Sequence, residues 1–350
     1  MLEVELKKQL NGFCLNVSFK TEQNMLGLLG ASGSGKSMTL KCIAGIITPD
    51  EGRIVLNGRV LFDSSANINL KPQLRQVGYL FQNYALFLHM SVYENIEAGL
   101  SRLRPKARRH EAVEKVMRAF YLDGLERRLP HELSGGQQQR VALCRMLIAK
   151  PELILLDEPF SGLDSYLKWQ LEQELIEMLK RYEGEAVFVS HSMEEVKSVC
   201  SKVCLLSEGK SLGITEISNL LERPATLAAA RLTGKRNFSR AQRVSETELK
   251  ALDWGLTFDC GRPLPEKFNY IGVDAASVRL ESNAKNSFFA ELLGIYEGAD
   301  GISLTLKPCG CVETGEFSVI RAKLKGVKAL PKVGETLSVF IEPSSLMLLN

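Results

Sequence analysis

The sequence predicts two domains of different class: an α/β unit over residues 1–235 and a small all-β unit over residues 236–350. Three observations carry this. Residues 25–29 form a short apolar run, break into Gly30-Ala31-Ser32-Gly33-Ser34-Gly35-Lys36-Ser37, and resume with apolar side chains at helical spacing as far as Ile47. Strand, glycine loop and helix in that order are the context of a phosphate-binding loop, and every fixed position of G-x-x-x-x-G-K-[ST] is met. Leu153-Ile154-Leu155-Leu156 is a second continuous apolar run, bounded by Pro151 and Asp157, as a strand buried on both faces of a parallel sheet requires. From Arg236 onward helical periodicity fades and short β-rich runs succeed one another, the texture of a small barrel or a pair of them.

Each element follows from local pattern. Residues 2–6 and 14–19 alternate apolar and polar side chains, as half-buried antiparallel strands do. Phe13 stands between them and reads equally as a core residue or as a ring stacked on a nucleotide base. Residues 53–56 and 59–62 flank Asn57-Gly58, a two-residue hairpin signal. Residues 77–81 form a strand ending at Gln82, and a mostly helical insertion follows, with Val113, Val116, Met117 and Phe120 on one apolar face. Leu133-Ser134-Gly135-Gly136-Gln137 opens a helix continued by Val141, Leu143, Met146 and Leu147, creating a second anion-receptive helix N-terminus. After Asp157-Glu158 and Ser161-Gly162-Leu163-Asp164 comes a helix with Leu167, Leu171, Leu175 and Met178 on one face. Strands at 186–189, ending in Ser190-His191, and at 203–206 close the sheet; helices over 217–232 finish the domain, with Thr233-Gly234-Lys235 as linker. The β-rich runs of the second domain are 249–258, 270–273, 278–281, 288–296, 302–306, 317–324 and 336–341.

Composition excludes several classes. With 45% hydrophobic and 24% charged residues and a formal net charge of +3, nothing demands a nucleic-acid partner. The basic run at 102–109 reads as the solvated start of a surface helix, with Pro105 near its first turn. No apolar run reaches the roughly 18 residues of a membrane span, and the opening Met1-Leu2-Glu3-Val4-Glu5 is no signal peptide, so membrane association is expected through a partner. The eight cysteines, including the Cys200/Cys204 and Cys309/Cys311 pairs, lack the neighbours that would complete a zinc site and read as reduced thiols.

The chemistry gathers at strand ends. Glycines let the backbone wrap an anion so that successive N–H groups face phosphate oxygens, and the helix N-terminus adds its dipole. Lys36 supplies a point charge for the outer phosphates of a nucleoside triphosphate, and the Ser37 hydroxyl is placed to ligate Mg²⁺. Asp157 can hold the same Mg²⁺, Glu158 can accept a proton from attacking water, and His191 can reach the γ-phosphate or orient Glu158. Gln82 can reach Mg²⁺ or the water through its amide oxygen. The nucleotide-binding set is therefore Phe13, Gly30, Ser32, Gly33, Ser34, Gly35, Lys36, Ser37 and Met38.

Taken together, residues 30–37, Gln82, 133–137, Asp157-Glu158-Pro159, 161–164 and His191 resemble the ATP-binding-cassette ATPases, in that family's order and approximate spacing. The resemblance implies an α/β P-loop NTPase cassette with an antiparallel β subdomain and a helical subdomain, followed by an OB-like all-β domain of the TOBE kind. It implies a head-to-tail homodimer in which Ser134, Gly135, Gly136 and Gln137, with Asp164, complete the ATP site of the other copy. It further implies an ATPase subunit of a binding-protein-dependent importer, peripheral on the cytoplasmic face of the membrane, partnered by permease subunits and indirectly by a solute-binding protein. Residues 52–61 and 75–82 are similar to the molybdate and sulfate branch, which points to an oxyanion (molybdate, tungstate or sulfate), with iron, polyamine or sugar import and a soluble non-transport cassette as alternatives. Two departures stand out. Leu88 replaces a proline common in that family's permease-facing segment, and Ser287-Phe288-Phe289-Ala290 replaces Ser-Ala-Arg-Asn in its oxyanion motif.

Overall fold

The computed structural model describes residues 1–22, 25–100, 105–161, 165–180, 182, 184–282, 285–298, 301–311, 315, 317–324 and 330–350. The chain divides into two compact units, Met1–Ile217 and Ser218–Asn350.

The first unit runs β1 (Leu2–Leu10), β2 (Phe13–Thr21), β3 (Met25–Gly30), α1 (Lys36–Ala44), β4 (Glu51–Leu56), β5 (Arg59–Asp63), β6 (Ile68–Asn69), β7 (Val77–Leu80), α2 (Val92–Glu97), α3 (Lys106–Ala119), α4 (Gly135–Leu147), β8 (Leu153–Asp157), α5 (Ser165–Lys180), β9 (Glu185–Ser190), α6 (Met193–Val199), β10 (Lys202–Ser207) and β11 (Lys210–Glu216). Its strands form one sheet in the order β6-β5-β4-β1-β2-β11-β10-β3-β9-β8-β7. The half containing β10, β3, β9, β8 and β7 is parallel, and β8 and β9 are buried along their whole length, which is why they read as unbroken apolar runs. The other half is mainly antiparallel. Along β2 burial alternates strictly from Leu15 to Thr21, matching its apolar–polar pattern. Asn57 and Gly58 both carry positive φ (50° and 79°), the two-residue turn that joins β4 to β5.

A separate helical cluster packs Val92, Ile96, Val113, Met117, Val141 and Cys144 together, with Val116 and Phe120 against them. On α5 the buried stripe is Leu171, Leu175 and Leu179 rather than one ending at Met178, which stays half-exposed.

One buried cation holds the phosphate-loop helix from behind. Arg75, 0% exposed, donates to the carbonyls of Cys42 (2.9 Å) and Ile43 (2.7 Å) in the last turn of α1, to Leu70 O (2.9 Å) and to Asn69 Oδ1 (2.8 Å). A helix ends with carbonyls lacking intrahelical donors and a partial negative charge, and the planar guanidinium answers both needs. Burial lowers the Arg75 pKa from its ordinary value.

In the second unit α7 (Ile217–Glu222) straddles the boundary, and α8 (Leu227–Leu232) precedes β12 (Asn237–Arg243), β13 (Glu248–Ala251), β14 (Leu256–Asp259), β15 (Tyr270–Val273), β16 (Val278–Arg279), β17 (Ser287–Gly298), β18 (Gly301–Pro308), β19 (Ile320–Leu324), β20 (Thr336–Ile341) and β21 (Met347–Leu349). These strands make two five-stranded sheets, β14-β13-β12-β15-β21 and β16-β20-β17-β18-β19, antiparallel throughout. The run at 249–258 is thus a hairpin rather than one strand: Asp253, in the turn, accepts on its Oδ1 from Arg240 Nε (2.9 Å) and Nη2 (2.7 Å). Of the two compact units, α8 goes with the β-rich one. Ala230 packs with Phe238 and Leu349, and Leu227 N donates to Asn350 O at 3.0 Å.

Replacing Arg75 by Met strands several buried carbonyls at once. Denaturant unfolding should show a loss of about 3 kcal/mol, several lost hydrogen bonds at about 1 kcal/mol each; a change within error would show that α1 needs no such anchor.

Candidate functional site

The glycine loop begins where β3 ends and closes at Gly35, which takes φ 102° before α1. A side chain there would be strained by that φ and would drive its Cβ to 2.5 Å from Leu15 Cδ1, so the position admits only glycine. Lys36 then folds back over the loop: its Nζ donates to Gly30 O at 2.8 Å and Ala31 O at 2.9 Å. Burial pulls the Lys36 pKa below its ordinary value, while Glu158 and Asp157 push the other way. The ammonium keeps a third donor beyond those two bonds. Among the described residues the buried Ser34 hydroxyl has no hydrogen-bond partner, an orphan polar atom in a loop otherwise suited to phosphate oxygens.

The acidic side comes from neighbouring strand ends. Asp157, at the end of β8, accepts from Ser37 Oγ on Oδ1 and from Tyr79 OH on Oδ2, both at 2.7 Å. Burial and the adjoining Asp157 carboxylate raise the Tyr79 pKa well above its ordinary value, so the phenol stays protonated and donates. Glu158 adopts φ 47°; its N–H donates to Val189 O at 3.1 Å, and its Oε2 lies 3.4 Å from His191 Nδ1. A cleft of about 600 Å³ collects Phe13, Ser32, Gly33, Gly35, Lys36, Ser37, Met38, Gln82 and Glu158 on its walls. Phe13 serves the core as well, since it packs against the main hydrophobic cluster. Mg²⁺ takes hard oxygen ligands, and the Ser37 hydroxyl, the Asp157 carboxylate and the Gln82 amide meet that requirement.

Ser134, Gly135, Gly136 and Gln137 are not on these walls. They start α4, where Ser134 Oγ accepts from Gln137 N (3.3 Å) and Gln137 Oε1 accepts from Ser134 N (3.0 Å). This reciprocal cap engages the two side chains as acceptors and leaves Ser134 and Gly135 exposed at the helix N-terminus. Asp164 lies outside the described residues.

Several contributors were not apparent from the sequence. Tyr79 is one. Another is Glu195 on α6: its Oε2 accepts from Ser190 Oγ at 2.6 Å, and Ser190 Oγ in turn accepts from Ser192 N at 2.8 Å, so a buried carboxylate shapes the turn that carries His191. A third is Asn95, 0% exposed, which fastens the loop after Gln82. Its Oδ1 accepts from Phe87 N at 2.8 Å, and its Nδ2 donates to Phe87 O, Met90 O and Ser91 O, each at 3.0 Å. Arg145 adds a bond to Tyr84 O (2.8 Å) and lies over the Phe87 ring. Phe87 and Leu88 remain 43% and 72% exposed on this pinned loop.

Asn95→Ala should therefore loosen residues 84–91 specifically. The expected result is faster chymotryptic cleavage at Phe87, with a global stability loss of about 2 kcal/mol. Wild-type cleavage rates in the folded variant would show the loop to be held by other contacts.

The profile of the family described as ABC transporter matches residues 14–161. The chain is 38% identical over 224 residues to a molybdenum import ATP-binding protein of Paramagnetospirillum magneticum, covering 64% of this chain and 61% of that protein. It is 41% identical over 222 residues to an Fe(3+) ions import ATP-binding protein of Haemophilus influenzae, 63% of each. These two matches span less than two thirds of the relatives' own length. The molybdate/tungstate import ATP-binding protein of Pyrococcus horikoshii is matched almost throughout: 36% identity over 325 residues, 89% of this chain and 90% of that one. Among solved structures, cbiO1 of Clostridium perfringens, part of an ABC transporter complex, superposes with a TM-score of 0.54 at 27% identity, over 63% of this chain and 89% of that one. A dimeric bacterial ABC transporter cassette shares the fold, with a TM-score of 0.53 at 23% identity, over 62% of this chain and 99% of that chain.

Proposed function

The chain belongs to the ATP-binding-cassette transporter family, and on that premise we propose that it is the ATP-hydrolysing subunit of an importer. The observation that carries this is one cleft whose walls include Lys36, Ser37, Gln82 and Glu158, with Asp157 hydrogen-bonded to Ser37 behind them. Loop N–H groups and Lys36 hold the triphosphate; Phe13 lies where a base could stack. Ser37, Asp157 and Gln82 are the residues that would hold Mg²⁺, which when bound would neutralise phosphate charge. Glu158 takes a proton from the attacking water, and His191 orients the Glu158 carboxylate from 3.4 Å.

The site is shared between two copies in this reading. Ser134, Gly135, Gly136 and Gln137 lie off their own cleft and stand exposed or half-exposed except for Gly136, so a second copy facing them head to tail can receive them against its γ-phosphate. The loop at 82–91, held by Asn95 and presenting Phe87 and Leu88, is the surface for a membrane permease; among the described residues no helix is long and apolar enough to cross a membrane. An oxyanion cargo, molybdate, tungstate or sulfate, is favoured by the near full-length match to the Pyrococcus protein; iron import is the second reading, favoured by the Haemophilus relative. The β unit serves dimer contact or regulation. Its Phe288 packs edge-on against Phe258, and residues 287–291 pair with β20, so little there is left to bind an oxyanion tightly.

Glu158→Gln should bind ATP as wild type does while hydrolysis falls by roughly two to four orders of magnitude; near-normal turnover would remove Glu158 from the role. Phe87→Asp should free the folded protein from membranes containing its permease, and retained co-purification would place the docking surface elsewhere.

A further inference from the structure

We propose that Tyr79 is a positioning residue for the metal-holding carboxylate: its phenol fixes Asp157 Oδ2 and so presents Oδ1 on the side of Ser37. This deepens the ATPase reading and rests on it. Asp157 is only 5% exposed, so water is poorly placed to replace a missing partner. Both oxygens have protein donors at 2.7 Å, one from α1 and one from β7. The direction of the phenol is itself set. Tyr79 lies on β7 in parallel register with β8, opposite Leu155, and its ring packs against the main core cluster with the Phe81 ring at 4.4 Å. A carboxylate that can rotate offers a cation a smeared set of ligand positions, whereas one clamped at the far oxygen offers a single one.

The same strand leads into Gln82, which faces the cleft, and then into the loop that Asn95 fastens. Tyr79 thus ties the metal-holding residue to the strand that carries the proposed permease surface. A shift of β7 along β8 would move the phenol and Gln82 together.

The test compares wild type, Tyr79→Phe and Val77→Ala in binding a fluorescent ATP analogue, first in EDTA and then across a Mg²⁺ titration. Tyr79→Phe should match wild type in EDTA, while its Mg²⁺ midpoint rises about tenfold or more, the range for loss of a residue supporting a metal ligand. Val77→Ala, which alters packing on the same strand without touching the carboxylate, should leave the midpoint in place. An unchanged midpoint in folded Tyr79→Phe would overturn the proposal, as would equal weakening with and without Mg²⁺, which means general distortion of the loop. Wild-type protein that binds no nucleotide at any Mg²⁺ concentration would overturn the ATPase reading, and this proposal with it.

Discussion

A nearly buried aspartate is costly unless its oxygens are satisfied, and much of the first unit can be traced to satisfying Asp157. Ser37 can reach Oδ1 only if α1 starts beside the end of β8, and Tyr79 can reach Oδ2 only if β7 lies in its observed register. Two neighbouring strands and a helix thereby converge on one carboxylate. The same convergence opens the cleft, since strand ends and a helix N-terminus are what a phosphate group and its cation require.

The helix between them is held at both ends. At its start, Gly35 gives a conformation no other residue adopts freely, and Lys36 ties the loop to itself through the Gly30 and Ala31 carbonyls. At its finish, Arg75 sits on the carbonyls of Cys42 and Ile43. Both ends are tied by the chain's own groups, and a loop held in that way diverts less binding energy into ordering. The α4 terminus is built on another plan. Its reciprocal Ser134–Gln137 cap satisfies donors at its start, yet these residues line no part of the chain's own cleft.

What the sequence made legible were features whose chemistry is local. The glycine loop, the Asn57-Gly58 turn and the apolar strand before Asp157 are each set within a handful of residues, and each stands where expected. Tyr79, Asn95, Arg75 and Glu195 were not legible, because each acts through partners supplied by the fold. A tyrosine in a strand reads as β propensity until the register sets it against an aspartate. An arginine before a strand reads as solvated until a helix C-terminus arrives above it. The place of α8 is a related case: it reads with the first domain's helices, but Ala230 on it packs with Phe238 and Leu349.

Those exposed groups at the start of α4 give the account its most direct test. A chain carrying Lys36→Ala is mixed with one carrying Ser134→Arg, each inactive alone, and ATP hydrolysis is followed across mixing ratios. If each site joins Lys36 of one copy to Ser134 of the other, the heterodimer holds one site with both defects and one with neither. Activity should then return and peak near equal mixing. No recovery at any ratio, with heterodimers demonstrated, would contradict the shared site and with it the reason α4 presents its N-terminus outward.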